Sequence, residues 1–171
     1  MSEDPFLTLV ADALASAGRD LQIDASLMAI DIESVDPTIG SVLGVVRPVA
    51  RAVTFYVVHP TLVPATEFAD VCALILRATS DLLDAALEID FSTGSVAYRS
   101  PVLLGDLELD VESLGLLLIA SVEAVEETAA RYRDLLDAVI LGELDPAVAA
   151  AQARRAPLDE LQVELDELEG R

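Results

Sequence analysis

Between Leu87 and Leu104 the chain reads LEIDFSTGSVAYRSPVLL, and this stretch restricts the fold more than any other. Leu87, Ile89 and Phe91 alternate with polar residues before Gly94. Val96, Tyr98 and Val102 continue the alternation after it. A period of two marks a strand with one buried face. Gly94 supplies the positive φ that a short hairpin turn requires. The pattern predicts a hairpin whose other face, with Glu88, Asp90, Ala97 and Arg99, is wet. Arg99 beside Glu88 or Asp90 makes a cross-strand ion pair worth about 0.2–1 kcal/mol.

The segments around the hairpin follow two other periods. DPFLTLVADALASAG is a helix, with Asp4 as N-cap and Pro5 at the first helical position. Phe6, Leu9, Val10, Ala13 and Leu14 form its stripe, and Gly18 ends it. Strands are expected near Leu27–Glu33, Ser41–Arg47 and Ala52–His59, where Val, Ile, Thr and Phe are frequent. Pro48 belongs at a turn or an edge, because it cannot donate to a ladder. A second helix opens at Pro64 or Thr66. Phe68, Val71, Cys72, Ile75, Leu76, Thr79, Leu82 and Leu83 share its face. A long helix runs from Val111 to about Leu141, capped by Asp110 and stopped by Gly142. Asp145 and Pro146 start a short Ala-rich helix whose terminal Arg154 and Arg155 suit the negative end of the helix dipole. In the tail PLDELQVELDELEGR, Leu158, Leu161, Leu165 and Leu168 are spaced 3, 4 and 3, a seam fitted to docking or to a partner helix.

The expected fold is α+β: an antiparallel sheet of about five strands with helices on one face, in the order αβββαββα plus C-terminal helices. Residues 1–156 form one domain and 157–171 an acidic Leu-striped helix or tail.

Composition excludes several classes of function. The hydrophobic fraction is 53% with 4% aromatics, so the core is aliphatic. All ten basic residues are Arg, against thirty-one acids, for a net charge of -21. Nucleic acid and anionic membrane are poor partners for such a surface. The lone Cys72 allows no internal disulfide, which fits the cytoplasm. The N-terminus MSEDPFLTLV has no basic n-region, so no signal peptide is expected. The apolar run from Leu114 to Ala120 is far short of the ~20 residues of a membrane span.

The stretch FYVVHPTLVPATEFADVCALILRATSDLLDAALEIDFSTGSVAYRSPVLL, with YRDLLDAVILGELDPAVAAAQ further on, resembles the YbjN family of bacterial proteins. The resemblance lies in the order of structural punctuation. A strand ends in His-Pro, Val-Pro opens a helix, the hairpin follows, and a long helix ends before a Pro-led Ala-rich one. It covers about residues 20–152. The family often has Asn-Gly between the second helix and the hairpin, where this chain has Thr79–Ser80 and Ala85–Ala86. The resemblance implies a fold like that of type III secretion chaperones, which dimerise and bind extended segments of client proteins. It implies a homodimer and a regulatory or stress-response role, and no catalytic residue.

No catalytic, cofactor-binding or metal-binding set is read from the residues themselves. His59 is the only His and lacks triad or zinc partners in sequence. Cys72 sits on an apolar helix face with no CxxC. Asp106, Glu108 and Asp110 would share a face if extended, as would Asp31 and Glu33. Such oxygens suit Ca²⁺ or Mg²⁺, but the Gly-centred loop of a calcium hand is missing. The expected function is therefore a non-enzymatic protein-binding module, chaperone-like or adaptor, using the free face or edge of the sheet for an extended client. Candidate contacts are Phe55, Tyr56 and Tyr98, if exposed, and the tail's Leu158, Leu161, Leu165 and Leu168. The alternative is a small-molecule or divalent-metal sensor.

Overall fold

The computed structural model describes residues 4–155. Helix α1 (Pro5–Ser16) is followed by four strands: β1 (Leu21–Asp24), β2 (Ala29–Glu33), β3 (Ser41–Arg47) and β4 (Ala52–Val58). Then come α2 (Phe68–Thr79), the hairpin β5 (Ala86–Asp90) and β6 (Ser95–Leu103), α3 (Val111–Ile140), and a final helix α4 over 146–155. The six strands form one antiparallel sheet in the order β1-β2-β3-β4-β6-β5. The class is α+β, as the residue patterns predict.

Local chemistry explains the boundaries. The Asp4 carboxylate accepts from the N–H groups of Phe6 and Leu7 at 2.9 and 3.3 Å, two of the donors a helix start leaves unpaired. Asp110 caps α3 through the Ser113 N–H at 2.8 Å. Pro48 lies in a single 3₁₀ turn, Pro48–Ala50, between β3 and β4, as its missing donor requires. Gly94 closes the β5–β6 hairpin at φ 76°.

Several expectations need correction. The sheet of about five strands numbers six, the unforeseen strand being β1 (LQID), which pairs with β2 at the edge. Four residues are too few for a legible alternation. The strand expected from Leu27 begins at Ala29, since Asp24 grips Ser26 and Leu27 in a turn that leaves Met28 at φ 52°. Helix α2 ends at Thr79, so Leu82 and Leu83 are not on its face. Leu76 and Leu83 are exposed rather than buried. Phe91 lies beyond β5 and packs edge-on against Phe68, with centroids 5.3 Å apart. Asp106 and Glu108 lie in the irregular connection from β6 to α3, so the acidic run shares no strand face.

The core lies between the sheet and the helices. Ile30, Ile32, Val42, Val53, Phe55, Val96 and Tyr98 point to one side and are buried. Leu114, Leu118, Val122 and Val125 of α3 meet that cluster together with Val10 and Leu14 of α1. The two helices approach closely at Gly115, where a Cβ would stand 2.9 Å from the Ala13 carbonyl. Arg19, just past the end of α1, reaches Glu126 in the middle of α3 with two parallel hydrogen bonds of 3.3 and 3.0 Å. Both side chains are buried.

Candidate functional site

The helices bury one side of the sheet and leave the other uncovered. The register sets Asp31, Leu43, Tyr56 and Arg99 side by side across β2, β3, β4 and β6 on that uncovered side. Leu43, Val58 and Leu103 all point outward there, at 38%, 56% and 75% exposure. Their positions are those that alternation assigns to water, where polar side chains are the rule. The middle strands thus expose separate apolar side chains on this face, with Arg47, Thr54 and Arg99 set between them. Acids flank them: Asp24, Asp31 and Glu33 on β1 and β2, Glu88 and Asp90 on β5.

Two carboxylates of the acidic rim, Asp24 and Asp90, are held in their charged form by local hydrogen bonds. Asp24 accepts from the Ser26 hydroxyl at 2.6 Å, and Asp90 from the Ser92 hydroxyl at 2.7 Å. Backbone N–H groups add further bonds, and both carboxyls lie below the usual carboxylate range. Glu88 pairs with Arg99 at 2.9 Å, the cross-strand pair expected from the hairpin. Asp31 and Glu33 make no ion pair among the described residues.

Of the aromatic contacts expected from sequence, the structure brings one to this surface. Tyr56 points outward and is half-buried. Phe55 and Tyr98 face the core and are buried, so they are packing residues and not surface contacts. The parity of β4 and β6 decides this: Phe55 is flush with Gly44, whose missing side chain leaves room for the ring. Leu158, Leu161, Leu165 and Leu168 lie outside the described residues. Sequence reasoning did not single out Leu43, Val58 or Leu103, yet their signal was legible as apolar residues at the wet parity of a strand.

Comparison of the chain with family models, with curated proteins and with solved structures returns no match. The residues and their geometry therefore carry the functional reading.

His59 is the centre of a second polar cluster. It follows β4 directly and is buried. Nε2 lies 3.1 Å from Asp137 Oδ1 and Nδ1 lies 3.3 Å from the Tyr98 hydroxyl. The Thr61 hydroxyl donates to the same Asp137 oxygen at 2.7 Å. A neutral ring satisfies every group: Nε2–H donates to the carboxylate, and the phenol donates to Nδ1. Burial pushes the Tyr98 phenol well up, which keeps it a donor. The cluster ties the end of β4 to β6 and α3, with Arg133 and Thr38 lining a cavity of about 220 Å³ beside it. Among the described residues, no three His, Cys, Asp or Glu side chains converge as metal ligands. Cys72 is half-buried on α2.

This cluster makes stability depend on pH. Burial holds the His59 imidazole below its ordinary value of 6.5, outweighing the Asp137 hydrogen bond. As pH falls through 6.5, the unfolded chain takes up a proton before the folded one does. Stability from the neutral ring is therefore complete above 6.5 and declines below it. His59 is the only His. Urea midpoints measured between about pH 7.5 and 5 are expected to fall with acidification, and His59→Gln to flatten that slope. An equal slope in the variant would remove His59 as its cause.

Proposed function

We propose that this chain is a non-enzymatic protein-binding module of the YbjN type, a chaperone-like or adaptor protein of the cytoplasm. The resemblance adds a homodimer and a regulatory role to this proposal. The observation that carries it is the helix-free face of the sheet. Leu43, Val58 and Leu103 spend exposed apolar surface there without any structural return to the single chain. Burying such side chains against a partner yields roughly 25 cal/mol per Å². The acidic rim selects the partner's charge: an apolar patch bordered by Lys or Arg complements it, and an acidic one does not.

Among the described residues no helix is long and apolar enough to cross a membrane. The binding reading needs none.

The test is capture by the immobilised full chain from cells of its source, read by quantitative mass spectrometry. The control is the double variant Leu43→Glu, Val58→Glu. Both sites are exposed, and Asp31 opposite Leu43 adds a like-charge contact of only a few tenths to about 1 kcal/mol, so the variant stays folded, which its melting curve checks. One or two proteins are expected to be recovered by the parent and to drop about tenfold or more with the variant, the loss expected when a charge replaces an apolar interface contact. Identical recovery with both proteins would remove the open face from the reading.

A further inference from the structure

We propose that residues 157–171 dock on their own domain, with the leucine seam laid in a groove between α3 and the wall formed by β6 and Leu83. This goes beyond the binding reading and uses neither the open face of the sheet nor a strand edge. The groove holds about 500 Å³. Leu117, Ala120 and Ser121 of α3 line one side, and Leu83, Ser100 and Val102 the other. Leu83 is 94% exposed, in the connection from α2 to β5, and Leu117 is 38% exposed. The Ser100 hydroxyl is already engaged: it donates to the Asp84 carbonyl at 2.7 Å. What the walls offer an occupant is therefore apolar contact.

The place where the chain leaves α4 selects the occupant. Helix α4 packs on the core through Ala149, Ala150 and Ala153. Its last turn is pinned, because Arg154 Nε donates to Asp81 Oδ2 at 2.7 Å. Asp81 lies two residues before Leu83, so the chain leaves α4 at the mouth of the groove. Burial raises the Tyr132 phenol, and the charges of Asp81, Arg131 and Arg154 also bear on it. The exit therefore stands beside Tyr132 of α3. From Tyr132 back to Ser121 and Leu117, α3 rises about 16 and 22 Å. Residues 157–171 as a helix rise about 21 Å. Laid antiparallel to α3, the segment is long enough to fill the groove.

The two surfaces match in period. On α3, Leu117, Ala120, Ser121 and Ala124 stand at i, i+3, i+4 and i+7, and none of them is buried. In the segment, Leu158, Leu161, Leu165 and Leu168 are spaced 3, 4 and 3, one apolar face of a helix. Its acids, Glu160, Glu164 and Glu167 among them, fall off that seam and would face water. Small residues at 120, 121 and 124 let a second helix approach closely. A net charge of -21 opposes the approach of a second copy. A segment tethered at the mouth of the groove meets no such barrier, since its effective concentration is of roughly millimolar order.

The experiment is hydrogen exchange of the purified full chain, read by mass spectrometry. A segment this short is marginal as a free helix, so protection of its amides reports docking. Amides of 158–168 are expected to exchange about tenfold or more slowly in the parent than in the double variant Leu83→Glu, Leu117→Glu, which puts a charge on each wall. Leu83→Glu alone, outside every helix and strand, should speed them in the same direction. Leu141→Glu, at the far end of α3 and 68% exposed, should leave them unchanged. Unaltered protection over 118–129 of α3 shows that each variant folds, and the single Leu83→Glu decides if the double variant does not. Exchange of 158–168 in the parent at the rate of an unstructured chain overturns the docking. Equal protection in the parent and the Leu83→Glu variant overturns the groove as its place. Protection that fades as the protein is diluted gives the groove to a second copy and overturns the stated occupant.

Discussion

Replacing Glu126 by Leu is expected to cost about 3–5 kcal/mol of unfolding free energy, because it strands a buried guanidinium. Arg19 and Glu126 are only 8% and 6% exposed, and each is the other's partner. Their bonds at 3.3 and 3.0 Å are parallel, the fork geometry that suits Arg to a carboxylate. In water both charges would be solvated by many dipoles, and here each has mainly the other. Arg19→Met should therefore be costly on the same scale. The double variant Arg19→Met, Glu126→Leu removes both charges and keeps the bulk. It is expected to return close to the parent, or above it, since the desolvation of two ions disappears with their attraction. Urea unfolding of the four proteins supplies the cycle. Single variants that each cost less than about 1 kcal/mol would show that water reaches the pair.

Gly94→Ala is expected to cost about 3 kcal/mol. The residue has φ 76°, where an L side chain is strained by about 1 kcal/mol. A Cβ there would also stand 2.4 Å from the Val63 carbonyl oxygen, and overlap of this kind in packed structure costs about 1–3 kcal/mol more. The obstacle is backbone, and it is fastened: the Val63 N–H donates to the Gly94 carbonyl at 2.8 Å. The segment after His59 thus lies directly over the hairpin turn. Gly40→Ala separates the two causes. Gly40 has φ 85° with nothing within 4 Å of a built Cβ, so it should show the strain alone, about 1 kcal/mol. Equal losses at the two sites would mean that the Val63 segment yields freely.

The hairpin shows what kind of information the residues carry on their own. Leu87, Val96, Tyr98 and Val102 are buried where alternation puts them, and Gly94 turns the chain. Asp4 and Asp110 cap the helices they precede. These features are local: each depends on groups within a few residues along the chain. Misses occur where the local signal is short or where an apolar residue is not buried. β1 has too few residues to display a period. Leu83 has the composition of a core residue and a position outside every element. The candidate site was legible only in part. Tyr56 reaches the open face, but Phe55, its neighbour in sequence, is in the core.

By itself, then, the order of residues determined the element types, the caps, the hairpin and an antiparallel sheet with a dry and a wet side, because helix and strand periods are written into consecutive positions. Tertiary structure alone decided that Arg19 meets Glu126 and that His59 meets Asp137, pairs separated by 107 and 78 residues. It also decided that β6 outruns β5 and that Leu43, Val58 and Leu103 all face one uncovered side of the sheet. The physical reason is that a side chain's period names the face it occupies, while its neighbours across that face are set by chain closure and strand register.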